Sequence, residues 1–164
     1  MSNSTQEVPK GLTACLSKAG LARGTTNTEL ATAAPNGAGI DFVINGIAYN
    51  MLDDASTASI PGALTTQAAL TQCLYLFQVN AGGTMLVTKG EEKLTTRLYA
   101  TGTLAQEALE WPAPTASYCP IGGYRIALAG SATYTAGTTN LNATNVTATY
   151  YDFGMGMPDR GISS

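Results

Sequence analysis

The chain has 164 residues, of which 45% are hydrophobic, so it is long and apolar enough to fold as one domain around a sizeable core. Only 12% of the residues are charged, about half of the roughly 25% usual in soluble domains, and the net charge is −3. This balance excludes a nucleic-acid-binding surface, which needs clustered Lys and Arg. A surface of short, neutral side chains loses little on desolvation, so we expect an oligomer.

The residue types present also limit the chemistry that the chain can perform. It contains no histidine, which excludes Ser-His-Asp and Cys-His catalysis and metal sites built on imidazole. Its cysteines, Cys15, Cys73 and Cys119, form no CxxC pair, and we predict that they are free and buried. We therefore predict that the protein is not an enzyme and binds no metal or cofactor.

Two acidic pairs are the remaining candidates for acid/base chemistry or cation binding. Asp53-Asp54 and Glu91-Glu92 stand alone, without the regularly spaced oxygen ligands that Ca²⁺ requires. We interpret both pairs as solvated turns. A hydrolase that acts on cell-wall polymers through paired carboxylates is a third, weaker hypothesis, because no such pair stands in a convincing frame.

The first twenty residues contain no continuous apolar run, and no stretch of the chain approaches the ~20 apolar residues of a membrane span. We therefore expect synthesis in the cytoplasm, with no signal peptide and no membrane partner. Leu12, Leu16 and Ala19 have the spacing of a short helix, but an extended arm explains residues 1–20 equally well.

The middle of the chain contains two predicted hairpins. A loop-like stretch over residues 24–39 precedes two apolar runs at 40–44 and 47–49, separated by Asn45-Gly46, the strongest short hairpin signal. After a connection over residues 52–71, the apolar run 73–80 predicts a strand buried on both sides. Ala-Gly-Gly then turns the chain into a strand at residues 84–88.

The last third of the chain predicts one helix and two strands. Leu104, Ala105, Ala108, Leu109 and Trp111 are apolar at helical spacing, which predicts a helix between Glu91 and Trp111 that ends at Pro112. Residues 124–128 alternate as a strand, and the Thr- and Tyr-rich residues 146–153 predict another. Together the pattern predicts a mostly β fold, a small β-barrel or β-sandwich with one short helix.

Four segments, in this order, carry a family resemblance: FVINGIAY, LYLFQVNAGGT, PIGGYRIAL and TAGTTNLNATNVTATYYDFG. They resemble a recurrent small structural protein of tailed-bacteriophage particles over about residues 21–154. The resemblance implies an N-terminal arm at 1–20, a β-rich virion domain at 21–154 and a C-terminal tail at 155–164. The extended terminal arms that we also expect are implied by this resemblance.

The resemblance also implies a role, and it offers no catalytic residues. Such proteins decorate or cement the outside of capsids, or belong to head fibres and tail appendages. We expect a homotrimer synthesised in the host cytoplasm, which binds the major capsid protein on the capsid surface and stabilises the shell. The alternative is a fibre, spike or tail-appendage module that recognises a host surface.

Aromatic side chains are the candidate contact residues. Trp111 and the tyrosines are compatible with stacking on carbohydrate or with a core and subunit interface, where tyrosine is also enriched. We favour an interface, for which the candidates are Trp111, Tyr124, Tyr150, Tyr151 and Phe153.

The side chain of Asp152, within the last predicted strand, has two alternatives: it pairs with Arg125 across strands, or it is exposed to solvent.

Overall fold

The computed structural model describes residues 11–54, 64–95 and 108–154, together with the backbone of three two-residue strands at 97–98, 104–105 and 161–162. The fold in these ranges consists of strands and turns, and it contains no helix long and apolar enough to cross a membrane. The strands are β1 (Ala14–Cys15), β2 (Ala22–Arg23), β3 (Leu30–Ala31), β4 (Ile40–Ile44), β5 (Ile47–Met51), β6 (Thr71–Asn80), β7 (Met85–Lys89), β8 (Lys93–Leu94), β9 (Arg97–Leu98), β10 (Leu104–Ala105), β11 (Leu109–Glu110), β12 (Tyr118–Leu128), β13 (Val146–Asp152) and β14 (Gly161–Ile162).

Two antiparallel sheets form the body of the protein. The larger has five strands in the order β13-β12-β6-β7, with β8 also paired to β6, and the smaller has the order β1-β4-β5. The small sheet packs on the large one through contacts of β1 and β4 with β12. Three ribbons of two short strands each complete the described fold: β2 with β3, β9 with β10, and β11 with β14.

Strand β6 is buried on both faces, as its continuous apolar run predicts. One set of alternate side chains points into the larger apolar cluster, here called the main core: Cys73, Tyr75, Phe77 and Val79. Residues of the small sheet belong to the same cluster. The alternate side chains face the opposite way, where Leu74 and Leu76 pack in a second cluster with Leu109, Trp111 and Phe153. The two faces separate because successive side chains of a strand alternate.

The glycine pair of β12 lets two bulky side chains approach the sheet from opposite sides. A Cβ atom on Gly122 would lie 3.3 Å from Cδ2 of Leu21, in the main core. A Cβ atom on Gly123 would lie 2.3 Å from Cζ3 of Trp111 and 2.6 Å from the backbone oxygen of Tyr75. A β-bulge between Pro120 and Gly122 sets the register in which this happens. The glycines therefore mark close packing in this strand.

Both hairpin predictions are confirmed. Asn45 and Gly46 have φ angles of 52° and 82°, the two positive values that a type I′ turn needs, and they join β4 to β5. In the second hairpin Oδ1 of Asn80 accepts hydrogen bonds from the N–H groups of Gly82 and Thr84, both at 2.9 Å, and β7 follows.

The mostly β prediction is confirmed, but the predicted helix and the closed barrel are wrong. The described residues between Glu91 and Trp111 form short strands. Leu109 and Trp111 are buried while Ala108 and Glu110 are exposed, which is the two-residue period of a strand. In the described chain both sheets also keep free edges, so neither closes into a barrel.

The predicted terminal arms are described only in part. Residues 1–10 lie outside the described range, but β1 pairs with β4, and Cys15 and Ala19 are buried in the main core. The predicted tail, 155–164, also lies outside it except for β14, which pairs with β11. The domain boundaries at residues 20 and 154 stay predictions.

Replacing Gly123 by alanine should destabilise the fold by about 3 kcal/mol, because the new methyl group must displace both the Trp111 indole and backbone. Urea denaturation measures the change in the free energy of unfolding. Gly154→Ala is the matched control, because its Cβ atom would meet Cγ of Lys18 at an ordinary 3.5 Å. We expect that control to lie within about 0.5 kcal/mol of the parent. Equal stability of the two variants would contradict the packing described for β12.

Candidate functional site: the edge strand β13 and its groove

A shallow groove of about 600 Å³ runs beside β13, on the side of the large sheet that faces the main core. Ala22 and Arg23 of β2 form one wall, and the loop residues Leu141 and Asn142 contribute to the lining. The remaining lining residues belong to the first five positions of β13: Val146, Thr147, Ala148 and Tyr150. The groove is thus bounded by a strand at the edge of a sheet.

β13 is an edge strand with a surface of short polar side chains. Its described pairing partner is β12, in a register that runs from Val146 opposite Leu128 to Asp152 opposite Gly122. Thr147 and Thr149 are exposed, whereas Ala148 and Tyr150 are half-buried against the main core. The strand contains no lysine or proline, the residues that commonly protect sheet edges from pairing.

The groove carries one cation and one aromatic ring. Burial raises the pKa of Tyr150, and the nearby positive charge of Arg23 opposes this shift. Among the described residues, Arg23 takes part in no ion pair. Asp152 closes the far end of β13, where its Oδ1 accepts a hydrogen bond from the Leu21 N–H at 2.8 Å. Asp152 is exposed to solvent, the second alternative predicted for it, and it forms no ion pair with Arg125 among the described residues.

Three of the five candidate contact residues are buried in the interior of the folded protein. Trp111 and Phe153 are almost fully buried in the second cluster, with their rings 5.0 Å apart and nearly perpendicular. Tyr124 is fully buried in the main core. These three side chains offer no surface to a partner or a sugar ring, and the indole N–H of Trp111 meets no acceptor in the described chain.

The other two candidates keep some exposure and lie on opposite faces of β13. Tyr150 lines the groove, whereas Tyr151 packs edge-on against Trp111 at 5.6 Å. Sequence reasoning did not single out Arg23, Asn142, Ala148 or Thr149. The alternation of polar and apolar residues in VTATYYD was the available signal, because it is typical of a strand with one solvated face.

The buried tyrosines form a structural network. Tyr75 stacks on Tyr124 with ring centroids 4.9 Å apart, and its hydroxyl donates to Oε1 of Gln67 at 3.0 Å. Tyr134 completes the group, with its hydroxyl oxygen 3.3 Å from that of Tyr124. Burial is the main cause that raises the pKa of all three phenols. They are therefore neutral, internal groups at ordinary pH.

The cysteines are free and buried, as predicted. Burial raises the pKa of Cys15 to about 11 and the pKa values of Cys73 and Cys119 to about 12. The thiolate is the reactive form of cysteine, and it is scarce at neutral pH for such groups. None of the three is placed as a nucleophile.

The acidic pairs hold loops in place. Oδ1 of Asp53 accepts the Ala34 N–H at 2.8 Å. Burial opposes ionisation of Glu92, but hydrogen bonds from Lys89, the Ala68 N–H and Thr71 outweigh it and lower the pKa of Glu92. The described residues contain no cluster of three or more acidic or cysteine side chains that could hold a metal ion.

Comparison with known proteins adds no relative, because no protein-family model, curated protein or solved structure matches this chain.

Replacing Tyr75 by phenylalanine should flatten the alkaline loss of stability. A tyrosine in the unfolded chain has a pKa of about 10. Burial raises the pKa of Tyr75 in the folded state above this value. Above that pH the unfolded chain loses a proton that the folded chain keeps, so the free energy of unfolding falls as pH rises. Removing this phenol should reduce the slope by about 1.4 kcal/mol per pH unit.

Urea denaturation at a series of alkaline pH values measures this slope. Phe77→Leu is the control, because it also weakens the main core but removes no titrating group. We expect the control to keep the parent slope at lower stability. A Tyr75→Phe slope equal to that of the parent would show that the phenol is not protected by the fold.

Proposed function

We propose that this chain is a structural subunit of a tailed-bacteriophage particle, which binds the outside of the head as an oligomer and stabilises the shell. One observation supports this most strongly: in the described chain the thiols and the tyrosine network lie inside, and β13 presents a neutral strand edge outside. The three thiols and the phenols of Tyr75, Tyr124 and Tyr134 are buried, whereas Thr147 and Thr149 of β13 are exposed. The resemblance of four sequence segments to small virion proteins points the same way.

The proposed mechanism is burial of neutral surface at contacts between several subunits. Short side chains such as Thr and Ala lose little conformational entropy when they are covered, and they need few charged partners. A subunit that touches several neighbours binds firmly only where these are correctly arranged, because the individual contacts multiply through effective concentration. The major capsid protein and further copies of this chain are the proposed partners, on the capsid surface.

The finer architecture belongs to the same proposal. We interpret the two open sheets as a β-sandwich, because residues of β4 in the small sheet and of β6 and β12 in the large sheet share one core. A sandwich leaves its edge strands available for contacts with neighbours, whereas a closed barrel has none.

The groove beside β13 favours a second candidate function, recognition of a host surface. Tyr150 supplies an aromatic face, Arg23 a cation and Asn142 an amide, all groups that bind acidic sugars. In this alternative the chain is a fibre, spike or tail-appendage module. Trp111 has no part in it, because that side chain is buried.

Electron cryo-microscopy of intact particles that contain this chain tests both candidates. Density for the fold on the outer shell, at positions where capsomers meet, is the expected result. Density at a fibre tip or on the tail would overturn the decoration role and support host recognition, with Tyr150→Ala as the variant to compare in glycan binding. Absence of the chain from purified particles would overturn both.

A further inference from the structure

The backbone of β13 offers hydrogen-bonding groups that have no partner among the described residues. The Ala129 N–H donates to the Asn145 oxygen at 3.0 Å, and the Phe153 N–H donates to the Ile121 oxygen at 3.2 Å. Because these groups alternate in direction along an antiparallel strand, the odd-numbered residues from 145 to 153 bond to β12. The even-numbered residues Ala148, Tyr150 and Asp152 therefore direct their N–H and C=O groups to the open edge, whereas the Val146 N–H already donates to the Ala143 oxygen at 3.0 Å.

The side chains of β13 are complementary to those of a second, antiparallel β13. If two copies pair around Thr149, Ala148 of one lies opposite Tyr150 of the other, a small side chain against a large one. Thr147 and Tyr151 form the same combination on the other face of the strand. Ala148 and Tyr150 would then exchange both of their outward backbone hydrogen bonds. No like charges meet, because Asp152 lies opposite Val146.

The charges around the groove agree with this register. Asp152 of one copy comes to the end of β13 where the other copy has Val146 and its groove. Arg23 lines that groove and has no ion pair among the described residues, so it can complement the incoming carboxylate. The shallow groove beside β13, which Ala148 and Tyr150 line, also has room for the side chains of the second copy.

We propose that β13 pairs with β13 of a second copy of this chain, antiparallel around a twofold axis at Thr149, to form one continuous sheet across both copies. This contact specifies the self-association on which the proposed function relies. It fits a dimer or two trimers joined across twofold axes, and it does not fit the isolated homotrimer expected from the sequence.

Disulfide cross-linking tests the register directly. In the proposed pair Thr149 faces its own symmetry mate at a non-hydrogen-bonded position, where Cα atoms lie about 4.5 Å apart, within the range that a disulfide spans. Thr149→Cys should therefore form a covalent dimer in mild oxidant, seen on a non-reducing gel. The three native cysteines are buried and give the background level in the parent protein.

Thr147→Cys is the matched control, because Thr147 is also exposed on the same strand and the same face. Its own symmetry mate would lie roughly 14 Å away, four residues along the partner strand, which is too far for a disulfide. We expect at least about tenfold less cross-linking than for Thr149→Cys. Equal cross-linking of both variants, or none of either, would overturn the proposal.

A charge pair gives an independent test in the same assembly. Thr149→Lys and Thr149→Asp should each weaken dimerisation, because like charges would meet at the axis, and an equimolar mixture should restore it. Mass photometry measures the dimer fraction. Failure of the mixture to associate better than either variant would overturn the pairing. If the pairing fails but the protein still binds particles, the proposed function survives without this contact.

Discussion

The antiparallel pairing of β6 with β12 is the interaction on which the rest of the structure depends. Both strands are long, and they stay in register from Tyr118 opposite Asn80 to Ala127 opposite Gln72, with one bulge. Because β6 is buried on both faces, it connects two separate apolar clusters within a single sheet. The small sheet covers one face, and the segment that carries Leu109 and Trp111 covers the other. A change in this pair therefore affects both sides of the molecule.

Burial on both faces places polar side chains inside, and local hydrogen bonds satisfy the amides of Gln67 and Gln78. Gln67 bridges the backbone oxygens of Thr71 and Ile126 through its Nε2. Gln78 is fully buried on the second face, where its Oε1 accepts the Thr115 N–H at 2.7 Å and so ties the loop after Trp111 to β6. A buried amide without partners would cost about 1–3 kcal/mol. These glutamines therefore fix how the loops lie across the sheet.

The elements that depend on local signals could be predicted from the sequence, and those that depend on distant contacts could not. The Asn45-Gly46 hairpin and the buried run of β6 follow from turn chemistry and continuous hydrophobicity. The segment before Pro112 combines helix-forming residues with a strand period at Leu109 and Trp111, and its burial against β6 decides in favour of the strand. The candidate site depends on strand order, which places β13 at an edge of the sheet. Strand order cannot be predicted from local sequence patterns, because it depends on contacts between distant segments.

The β6 and β12 pair is thus the centre of the described fold, because the main core and the second cluster pack on its two faces and β13 extends its sheet to an open edge. Native-state hydrogen exchange is the most direct test of that claim. We predict that amides of both strands exchange only through global unfolding, whereas those of the small sheet and of β13 exchange sooner through local opening. Slower exchange in β4 and β5 than in β6 and β12 would contradict the account, because the small sheet would then be the stable centre of the fold.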